Sequence, residues 1–415
     1  MKKSLIAVAG ALVCLGVQAQ DSVTIYGLAD VGFTSVSGYA QGRVTSLSSG
    51  IMEGSRWGLR GNEDLGGGYR AIFTLEGRVE IDTGSIGNRP ASGNQIPDRF
   101  TAGLLPAVAA ALNGAVGPGL GVNHLPAAPI LFDRQASRLF DRQAFVGLVT
   151  PFGGFLAGRQ YTPGFEALAT FDTMGAQSSL SPAQIISVPA GVDIRIDNAL
   201  QYRIVAGGIN ASLMYALGED KTATASGSSL LGINTIYKTP AYSVGFGYNA
   251  KKNSAGDQAL KTTVLGASGN MGAFSLSGMY ARIQEPNSGS APALGAGLAA
   301  GLVPAPVIAN VLDRLKQDAD LMHIGLRYDL GASGTVTVAY NRLKDKRGSN
   351  ADVQSYGVAY TYPLSKRTNL NFVLTQVNNS ANAQVAPGGN GYLGGVTKSA
   401  GTDSNSVSFG MRHSF

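Results

Sequence analysis

The sequence predicts an all-β fold, a closed antiparallel transmembrane barrel of sixteen strands with short periplasmic turns and long external loops. Three observations predict it: sixteen segments of alternating side-chain character, connections that alternate between short and long, and no uninterrupted apolar run of helix-spanning length beyond the first residues. An even number of antiparallel strands closes without an edge, so no backbone group is left unpaired in hydrocarbon.

The sixteen segments share a length of about ten residues. In chain order they are Ser22–Thr34, Gly54–Asn62, Gly68–Val79, Gln143–Pro151, Gly154–Thr162, Asp197–Val205, Ile209–Leu217, Leu230–Thr239, Tyr242–Lys251, Lys261–Gly269, Ala273–Gln284, Leu321–Leu330, Gly334–Leu343, Val353–Tyr362, Thr368–Val377 and Asn405–Phe415. Tight turns such as Ala206–Gly208 alternate with long loops at 35–53, 80–142, 163–196, 285–320 and 378–404. Short turns therefore belong to one rim and long loops to the other.

Parity along a strand assigns its two faces. In the ninth segment Tyr242, Val244 and Phe246 share one side, while Ser243 and Gly245 share the other. The aromatic side is expected to face lipid and the small polar side the interior. In a soluble β-sandwich the same stripe would be core, and that alternative requires the strand count and the N-terminal segment described next to be coincidental.

The N-terminus predicts a secretory signal. Lys2 and Lys3 precede an apolar stretch, and Ala19 is a small residue of the type that signal peptidase requires. We expect residues 1–19 to be removed and residues 20–415 to form the barrel domain. The single cysteine, Cys14, lies within the signal, so the mature chain would have neither a disulfide nor a cysteine metal site.

Charge and motifs argue against two other classes of function. The formal charge of +6 includes Lys2 and Lys3, and no Lys/Arg-rich run suggests nucleic acid as a partner. The three histidines, His124, His323 and His413, stand in no HExxH, GxSxG or P-loop motif. We therefore expect no catalytic residues, no metal site and no cofactor.

Three segments carry a family resemblance: Ser55–Tyr69, Gly158–Pro163 and Gly410–Phe415. They resemble the general porins of Gram-negative bacteria, especially the betaproteobacterial and neisserial branch. The resemblance implies a homotrimer in the outer membrane, in contact with lipopolysaccharide, whose third external loop folds into the barrel. The last strand, with Phe409 and Phe415, resembles the signal that the barrel-assembly machinery reads.

The basic side of a pore constriction is predicted from parity and from the resemblance. Because Trp57 and Leu59 should face lipid, Arg56 and Arg60 should point inward, and Arg195 does so by the same argument on its own strand. The resemblance implies an arginine cluster, and the matching positions are Arg56, Arg142 and Arg195. For Arg142, the parity of Val146 and Leu148 predicts the lipid side unless a bulge precedes that strand.

The acidic side is expected on the loop. The segment 164–190 should be the constriction loop, with Glu166 and Asp172 opposed to the arginines across a narrow gap. Opposed charges of this kind would orient dipolar solutes, and fixed arginines would favour anions modestly and less so in high salt. Alternatively, the arginines pair with Glu76 or Asp197 and bias nothing.

These expectations describe passive diffusion of small hydrophilic solutes. Two alternatives stay open: a substrate-specific channel for carboxylates or phosphate, and a barrel that serves as a surface adhesin or structural anchor. The second and sixth external loops are unusually long, and Val307, Val311 and Leu315 recur in the sixth at helical spacing. Two readings stay open: these loops are helical caps that pack on the rim, or one of them folds over the mouth or latches a neighbouring subunit and so reduces conductance.

Overall fold

The structure is a computed structural model that describes residues 22–86, 98–101, 138–186, 192–218, 227–289, 299, 304–388 and 395–415. The predicted signal at 1–19 lies outside the described residues, and so do parts of the second and sixth external loops.

Seventeen β-strands occur within the described ranges, and every pairing between them is antiparallel. They are β1 (Ser22–Tyr39), β2 (Gly42–Ser49), β3 (Arg56–Gly66), β4 (Tyr69–Arg78), β5 (Gln143–Thr150), β6 (Gly153–Tyr161), β7 (Arg195–Ala206), β8 (Ile209–Ala216), β9 (Leu230–Lys238), β10 (Tyr242–Lys252), β11 (Gln258–Met271), β12 (Phe274–Glu285), β13 (Gln317–Asp329), β14 (Thr335–Asp345), β15 (Val353–Pro363), β16 (Thr368–Asn379) and β17 (Ser404–Ser414).

The sheet closes on itself through β1. One edge of β1 pairs with β17, and the other edge pairs with β3 near its start and with β2 near its end. Because β2 and β3 share one place in the barrel wall, the seventeen strands occupy sixteen positions. The predicted sixteen-stranded antiparallel barrel is confirmed.

The first external loop differs from the prediction. Residues 35–53 were expected to be a loop, but β1 continues to Tyr39 and turns back into β2. Along this hairpin the exposed side is polar: the hydroxyl of Thr45 donates to Ser35 Oγ at 3.0 Å, and the Nη1 group of Arg43 donates to Ser35 Oγ at 3.3 Å. Apolar residues on this hairpin, such as Val36 and Tyr39, are buried on the inner side, so the segment has no outward apolar stripe of the kind that predicted the other strands.

The two faces of the other strands follow parity. Tyr242 and Val244 are 49% and 50% exposed on the outer face of β10, whereas Ser243 between them is 7% exposed. Phe409 and Phe415 likewise lie exposed on the outer face, and Phe409 is in register with Phe33 of β1. A continuous apolar surface of this kind is what a lipid-facing barrel requires.

Within the described residues, three α-helices lie in loops: α1 (Asp98–Thr101), α2 (Pro163–Phe171) and α3 (Ala305–Arg314). The helix expected in the sixth external loop from its apolar spacing is thus confirmed. Among the described residues, no helix combines the length and the apolar character needed to cross a membrane.

Candidate pore constriction

The third external loop enters the barrel as α2, immediately after β6. Thr162 caps the helix, since its Oγ1 accepts a hydrogen bond from the Phe165 N–H at 3.4 Å, and Pro163 occupies the first turn. Asn249, on the inner face of β10, donates to Thr162 Oγ1 at 2.8 Å and accepts from the Gly164 N–H at 2.9 Å. The helix is therefore tied to the opposite wall at its first residue.

Inward-facing glycines give α2 room to lie flat on that wall. A Cβ atom at Gly247 would lie 2.4 Å from the Cβ of Ala167, and one at Gly266 would lie 2.2 Å from ring carbons of Phe171. Glycine at these strand positions thus marks a close approach of the loop. The abundance of glycine has a local structural reason here.

The rest of the third loop crosses to β13–β16 and covers an apolar part of the inner wall. Leu168, Phe171 and Ile185 are fully buried against inward-facing apolar residues of β11–β16, among them Val264 and Leu321. The simple expectation of a polar interior therefore fails on this side of the barrel. Here the loop and the wall form a hydrophobic core inside the barrel.

A second inward element lies between β2 and β3. The carboxylate of Asp30, buried on the inner face of β1, accepts hydrogen bonds from the N–H groups of Ile51, Met52 and Glu53 at 2.8–3.1 Å. Ile51 is buried in the same apolar cluster as Leu180 of the third loop. Sequence reasoning placed these residues in an external loop, whereas the structure folds them into the barrel and positions the Glu53 side chain there.

The four predicted arginines come together around Glu76 and two tyrosines. Arg142 Nε donates to Glu76 Oε1 at 2.7 Å, and Arg56 Nε lies 3.6 Å from Glu76 Oε2. The Tyr26 hydroxyl donates to Glu76 Oε2 at 3.0 Å, and the guanidinium of Arg60 lies 3.8 Å from the centre of the Tyr26 ring. This assembly is called the basic wall below.

Tyr161 connects the remaining member, Arg195, to the basic wall. Its hydroxyl accepts from Arg142 Nη2 at 2.8 Å and from Arg195 Nη2 at 2.9 Å, and the Arg195 guanidinium stacks 4.5 Å from the ring centre. Stacking on an aromatic ring holds a guanidinium in place while leaving donors free for a passing anion. Arg195 Nε makes no hydrogen bond within the described residues.

The side chain of Arg142 does not point in the direction that strand parity predicts. Strand alternation placed it on the lipid side, but its side chain is buried beside Glu76 and Tyr161, inside the barrel. It precedes β5, which begins at Gln143, and its N–H donates to the Glu76 carbonyl at 3.1 Å. Because Arg142 lies before the regular strand, the parity of that strand does not determine its direction.

The two predicted loop carboxylates do not face the basic wall. Glu166 pairs with Arg203 of β7, and its Oε2 accepts from Asn234 Nδ2 at 2.9 Å. Arg203 and Asn234 were missed because neither stands in a motif, although both have inward parity. The carboxylate of Glu166 therefore serves to hold α2 against β7 and β9.

Asp172 is part of the internal structure of the third loop. It is 5% exposed and accepts hydrogen bonds from the N–H groups of Met174 and Ala176 and from the Ser181 hydroxyl. Burial raises the pKa of Asp172, and His323 Nε2 lies 3.8 Å from its Oδ1. The expectation that Asp172 faces the arginines across the opening is wrong.

His323 anchors the same part of the loop. Its Nε2 accepts a hydrogen bond from the Thr173 N–H at 3.1 Å, and its Nδ1 lies 2.6 Å from Asn341 Oδ1. A nitrogen that accepts from a backbone N–H carries no proton, so His323 is neutral in this arrangement and donates through Nδ1. It is a wall residue covered by the loop.

Comparison with known proteins identifies the family. A family model described as Gram-negative porin matches residues 4–382. The chain belongs to the Gram-negative porin family. Outer membrane porin protein 32 of Delftia acidovorans is 27% identical to this porin over 428 residues, covering 100% of both chains. Over 86 residues, 20% of this chain and 25% of the relative, major outer membrane protein P.IB of Neisseria meningitidis is 44% identical.

Solved structures give the same fold. An anion-selective porin from Comamonas acidovorans superposes with a TM-score of 0.70 at 23% identity, covering 95% of this porin and 100% of that chain. OmpT of Vibrio cholerae superposes with a TM-score of 0.59 at 11% identity, covering 95% and 98%. Together with the family match, the barrel establishes an outer-membrane porin, as the sequence resemblance indicated.

The second external loop of this porin reaches across the mouth. Its helix α1 contacts α3 of the sixth loop, where Arg314 Nη1 donates to the Phe100 carbonyl at 3.4 Å. Asp98 bonds to the eighth loop, accepting from the Ala400 N–H at 3.0 Å. Phe100 is 3% exposed. The second, sixth and eighth external loops, which follow β4, β12 and β16, therefore contact one another over the pore.

The described residues contain no group of three or more His, Cys, Asp or Glu side chains placed to hold a metal ion. What the interior offers chemically is fixed positive charge beside phenol hydroxyls, on one side of an opening whose other side is the third loop.

Proposed function

We propose that this porin is a passive diffusion channel for small hydrophilic solutes with a modest preference for anions. The observation that carries the anion preference is the basic wall, in which Arg56 and Arg142 share one carboxylate, Glu76, while Arg60 and Arg195 stack on tyrosine rings. Glu53 adds one more carboxylate and is itself shared between Arg56 and Arg412. Cations outnumber carboxylates, so the wall attracts anions.

Pairing within the basic wall limits the preference without abolishing it. Arg142 is buried and bonded to Glu76, so its main role is to hold the carboxylate and Tyr161 in place. Arg60 is exposed, and both Arg60 and Arg195 rest on aromatic rings without a carboxylate partner among the described residues. Arg60 is therefore the arginine that a solute meets most directly, whereas Arg195 is half-buried and its unbonded Nε is closed to solvent.

The assembly is proposed to be a homotrimer whose signal peptide is cleaved after Ala19 and whose last strand, with Phe409 and Phe415, is read by the barrel-assembly machinery. Both phenylalanines lie on the outer face, where another protein can contact them. Anion selectivity is named for the Comamonas acidovorans porin, which has the same fold. The selectivity of that porin supports the proposed preference by analogy.

A planar-bilayer measurement of reversal potential under a KCl gradient tests the preference. The variant Arg60→Gln/Arg195→Gln removes these two stacked cations and leaves the buried pair of Arg142 with Glu76 intact. We expect its anion-to-cation permeability ratio to fall toward one, with single-channel steps of similar size. The difference should shrink near 1 M salt, where the screening length is about 3 Å.

The matched control removes two cations from the outer surface, as Lys261→Gln/Arg342→Gln. It should keep the wild-type reversal potential, because those side chains lie outside the barrel. An unchanged ratio in the Arg60/Arg195 variant would contradict the proposal. Flux of one carboxylate or phosphate that saturates and blocks other solutes would instead identify a substrate-specific channel.

A further inference from the structure

An apolar strip lies on the inner face of β4–β6, on the periplasmic side of the basic wall. Ile72 has the same inward parity as Glu76 on β4 and lies closer to the periplasmic turn, about 13 Å along the strand. Register places Ile72 beside Gly147 of β5, and Gly147 beside Leu156 of β6. The inward residues two positions before and after Gly147 are apolar as well. Four side chains are together called the apolar strip below: Ile72, Phe145, Val149 and Leu156.

Gly147 allows the apolar strip to be continuous. A Cβ atom at Gly147 would lie 2.3 Å from Leu156 Cδ2 and 3.2 Å from Ile72 Cγ1. The side chains of the strands on either side therefore meet above the glycine, where a larger residue would separate them. The result is one apolar surface across three strands, in place of isolated apolar side chains.

The apolar strip is open to solutes, unlike the apolar core beneath the third loop. All four of its side chains are half-buried, whereas Val264 and Leu321, inward-facing residues of that core, are fully buried. The helix α2 contacts β8–β12, farther round the barrel. Apolar side chains that remain partly hydrated in the lumen gain from contact with an apolar solute, because both surfaces then lose contact with water.

The apolar strip begins beside an exposed cation of the basic wall. Phe145 is in register with Thr74 of β4, and Thr74 is in register with Arg60 of β3. The Arg60 guanidinium stacks on the Tyr26 ring, and that ring lies over β3, since a Cβ atom at Gly58 would be 2.9 Å from its Cζ. The strand that carries the guanidinium and the strand that carries the phenyl ring are thus two strand spacings apart, about 10 Å.

A cation beside open apolar surface favours one class of solute. A carboxylate accepts charge-assisted hydrogen bonds from a guanidinium. An aromatic ring or a branched chain attached to that carboxylate removes apolar surface from water when it contacts the apolar strip. A compact anion gains only the first contribution and an uncharged aromatic solute only the second, so a solute that carries both groups gains most.

We propose that the pore of this porin preferentially binds carboxylates that bear an aromatic or branched apolar group, with the carboxylate at Arg60 and the apolar group on the apolar strip. The inference rests on the proposed anion-preferring channel and adds a substrate class to it. The apolar strip carries no charge, so its contribution to binding is separate from the reversal potential that reports the anion preference.

The test adds potassium benzoate or potassium acetate to both sides of a single channel in KCl and measures the concentration of each anion that produces half of its maximal effect on conductance. We expect this concentration to be about fourfold lower for benzoate, since removing roughly 35 Å² of apolar surface from water contributes about that factor. Benzamide, which has the ring without the charge, should act no more strongly than acetate. Arg60→Gln should weaken benzoate and acetate alike.

The variant Ile72→Thr/Phe145→Gln/Leu156→Gln makes the apolar strip polar and keeps every charge. The half-effect concentration of benzoate should rise to that of acetate, while the reversal potential under a KCl gradient stays at the wild-type value. Phe145→Gln alone should give an intermediate value and replaces the triple variant if that protein does not fold. The matched control is Val205→Gln, which changes a 73% exposed valine with the inward parity of Arg203, outside the strip, and should behave like the wild type.

Two results would overturn the assignment. Equal half-effect concentrations of benzoate and acetate in the wild type would show that the apolar strip makes no contact with the ring. A preference for benzoate that persists in the strip variants would place the ring elsewhere in the pore. Failure of the proposed function is recognised separately, because a wild-type porin without anion preference would reveal it in the reversal potential in KCl alone.

Discussion

At the scale of single residues, burial decides which charges act on a solute. Glu166 and Asp172 stand in the segment that the sequence correctly assigns to the inward loop, yet each is used within the fold, as a partner of Arg203 or of the loop backbone. Conversely, Glu53 enters the barrel because Asp30 binds its backbone. Side-chain direction in a loop depends on such hydrogen bonds, which leave no periodic signal in a sequence.

Glu80, in the second external loop, provides a pH-dependent test of local stability. Its carboxylate is buried, 3.8 Å from Arg78 and close to Asp82 and Asp141. Burial, despite Arg78, raises the pKa of Glu80 from 4.5 to about 7. A folded-state pKa above the unfolded value means that the stabilisation is complete at low pH and is lost as the pH rises through about 7.

The apparent melting temperature of the wild-type porin should therefore fall between about pH 5 and about pH 8, with a loss on the order of 2 kcal/mol. Glu80→Gln should remove most of this dependence. Glu63→Gln, at an exposed position of β3, serves as the control and should melt like the wild type at each pH. Identical pH profiles for the Glu80 variant and the wild type would contradict the assignment.

At the scale of elements, alternation predicts strands wherever one face meets lipid. All sixteen predicted segments are strands, and the helix in the sixth loop was visible from its apolar spacing. The hairpin that turns at Tyr39 and the inward turn before β3 were not predicted, because neither carries a regular alternation of apolar residues on its outer face. The sequence alone does not predict which distant segment each long loop contacts. The contact of α1 with α3, for example, joins segments more than 200 residues apart.

The bridge between α1 and α3 should restrict the mouth. Replacing the buried Phe100 by Ala removes apolar contacts of about 3 kcal/mol, and Arg314→Gln removes the bonds to the α1 carbonyls. With both changes, α1 should leave the mouth, and swelling rates of porin-containing liposomes should rise most for the largest sugars in a series. Lys316→Gln, which alters only an exposed ion pair with Asp313 in the same loop, should leave these rates unchanged.

An unchanged sugar series in the Phe100/Arg314 variant, with the protein still folded, would mean that the bridge lies beside the path of solutes. A uniform rise for all sugars, including the smallest, would indicate a change at the basic wall instead. Only a size-dependent rise agrees with a restriction at the mouth.

At the scale of the whole molecule, the interior is divided. The third loop and its apolar core fill the side formed by β9–β16, and the basic wall lines the side formed by β1–β7. The pore opening therefore lies between the third loop, which rests on its apolar core, and the positively charged basic wall.

Closure of the barrel depends on a tight seam between β1 and β17. Gly32 and Gly410 are in register across it, and a Cβ atom at Gly32 would lie 2.3 Å from the Phe409 carbonyl oxygen and 2.4 Å from the Gly410 Cα. These are backbone atoms, so a side chain at Gly32 can be accommodated only by displacing β17. Such overpacking should cost about 2 kcal/mol and act where the first and last strands of the barrel meet.

Gly32→Ala should therefore lower the apparent melting temperature of the folded barrel in detergent and increase the fraction that runs unfolded on gels of unheated samples. Gly278→Ala is the matched control, since a Cβ there finds no atom closer than 3.7 Å, and it should behave like the wild type. Equal loss in both variants would mean that any methyl group in mid-strand is harmful, through backbone effects common to all strands. Loss confined to Gly32→Ala would show that the seam is where closure is most sensitive, because a barrel that fails to close there leaves the edges of β1 and β17 unpaired in hydrocarbon.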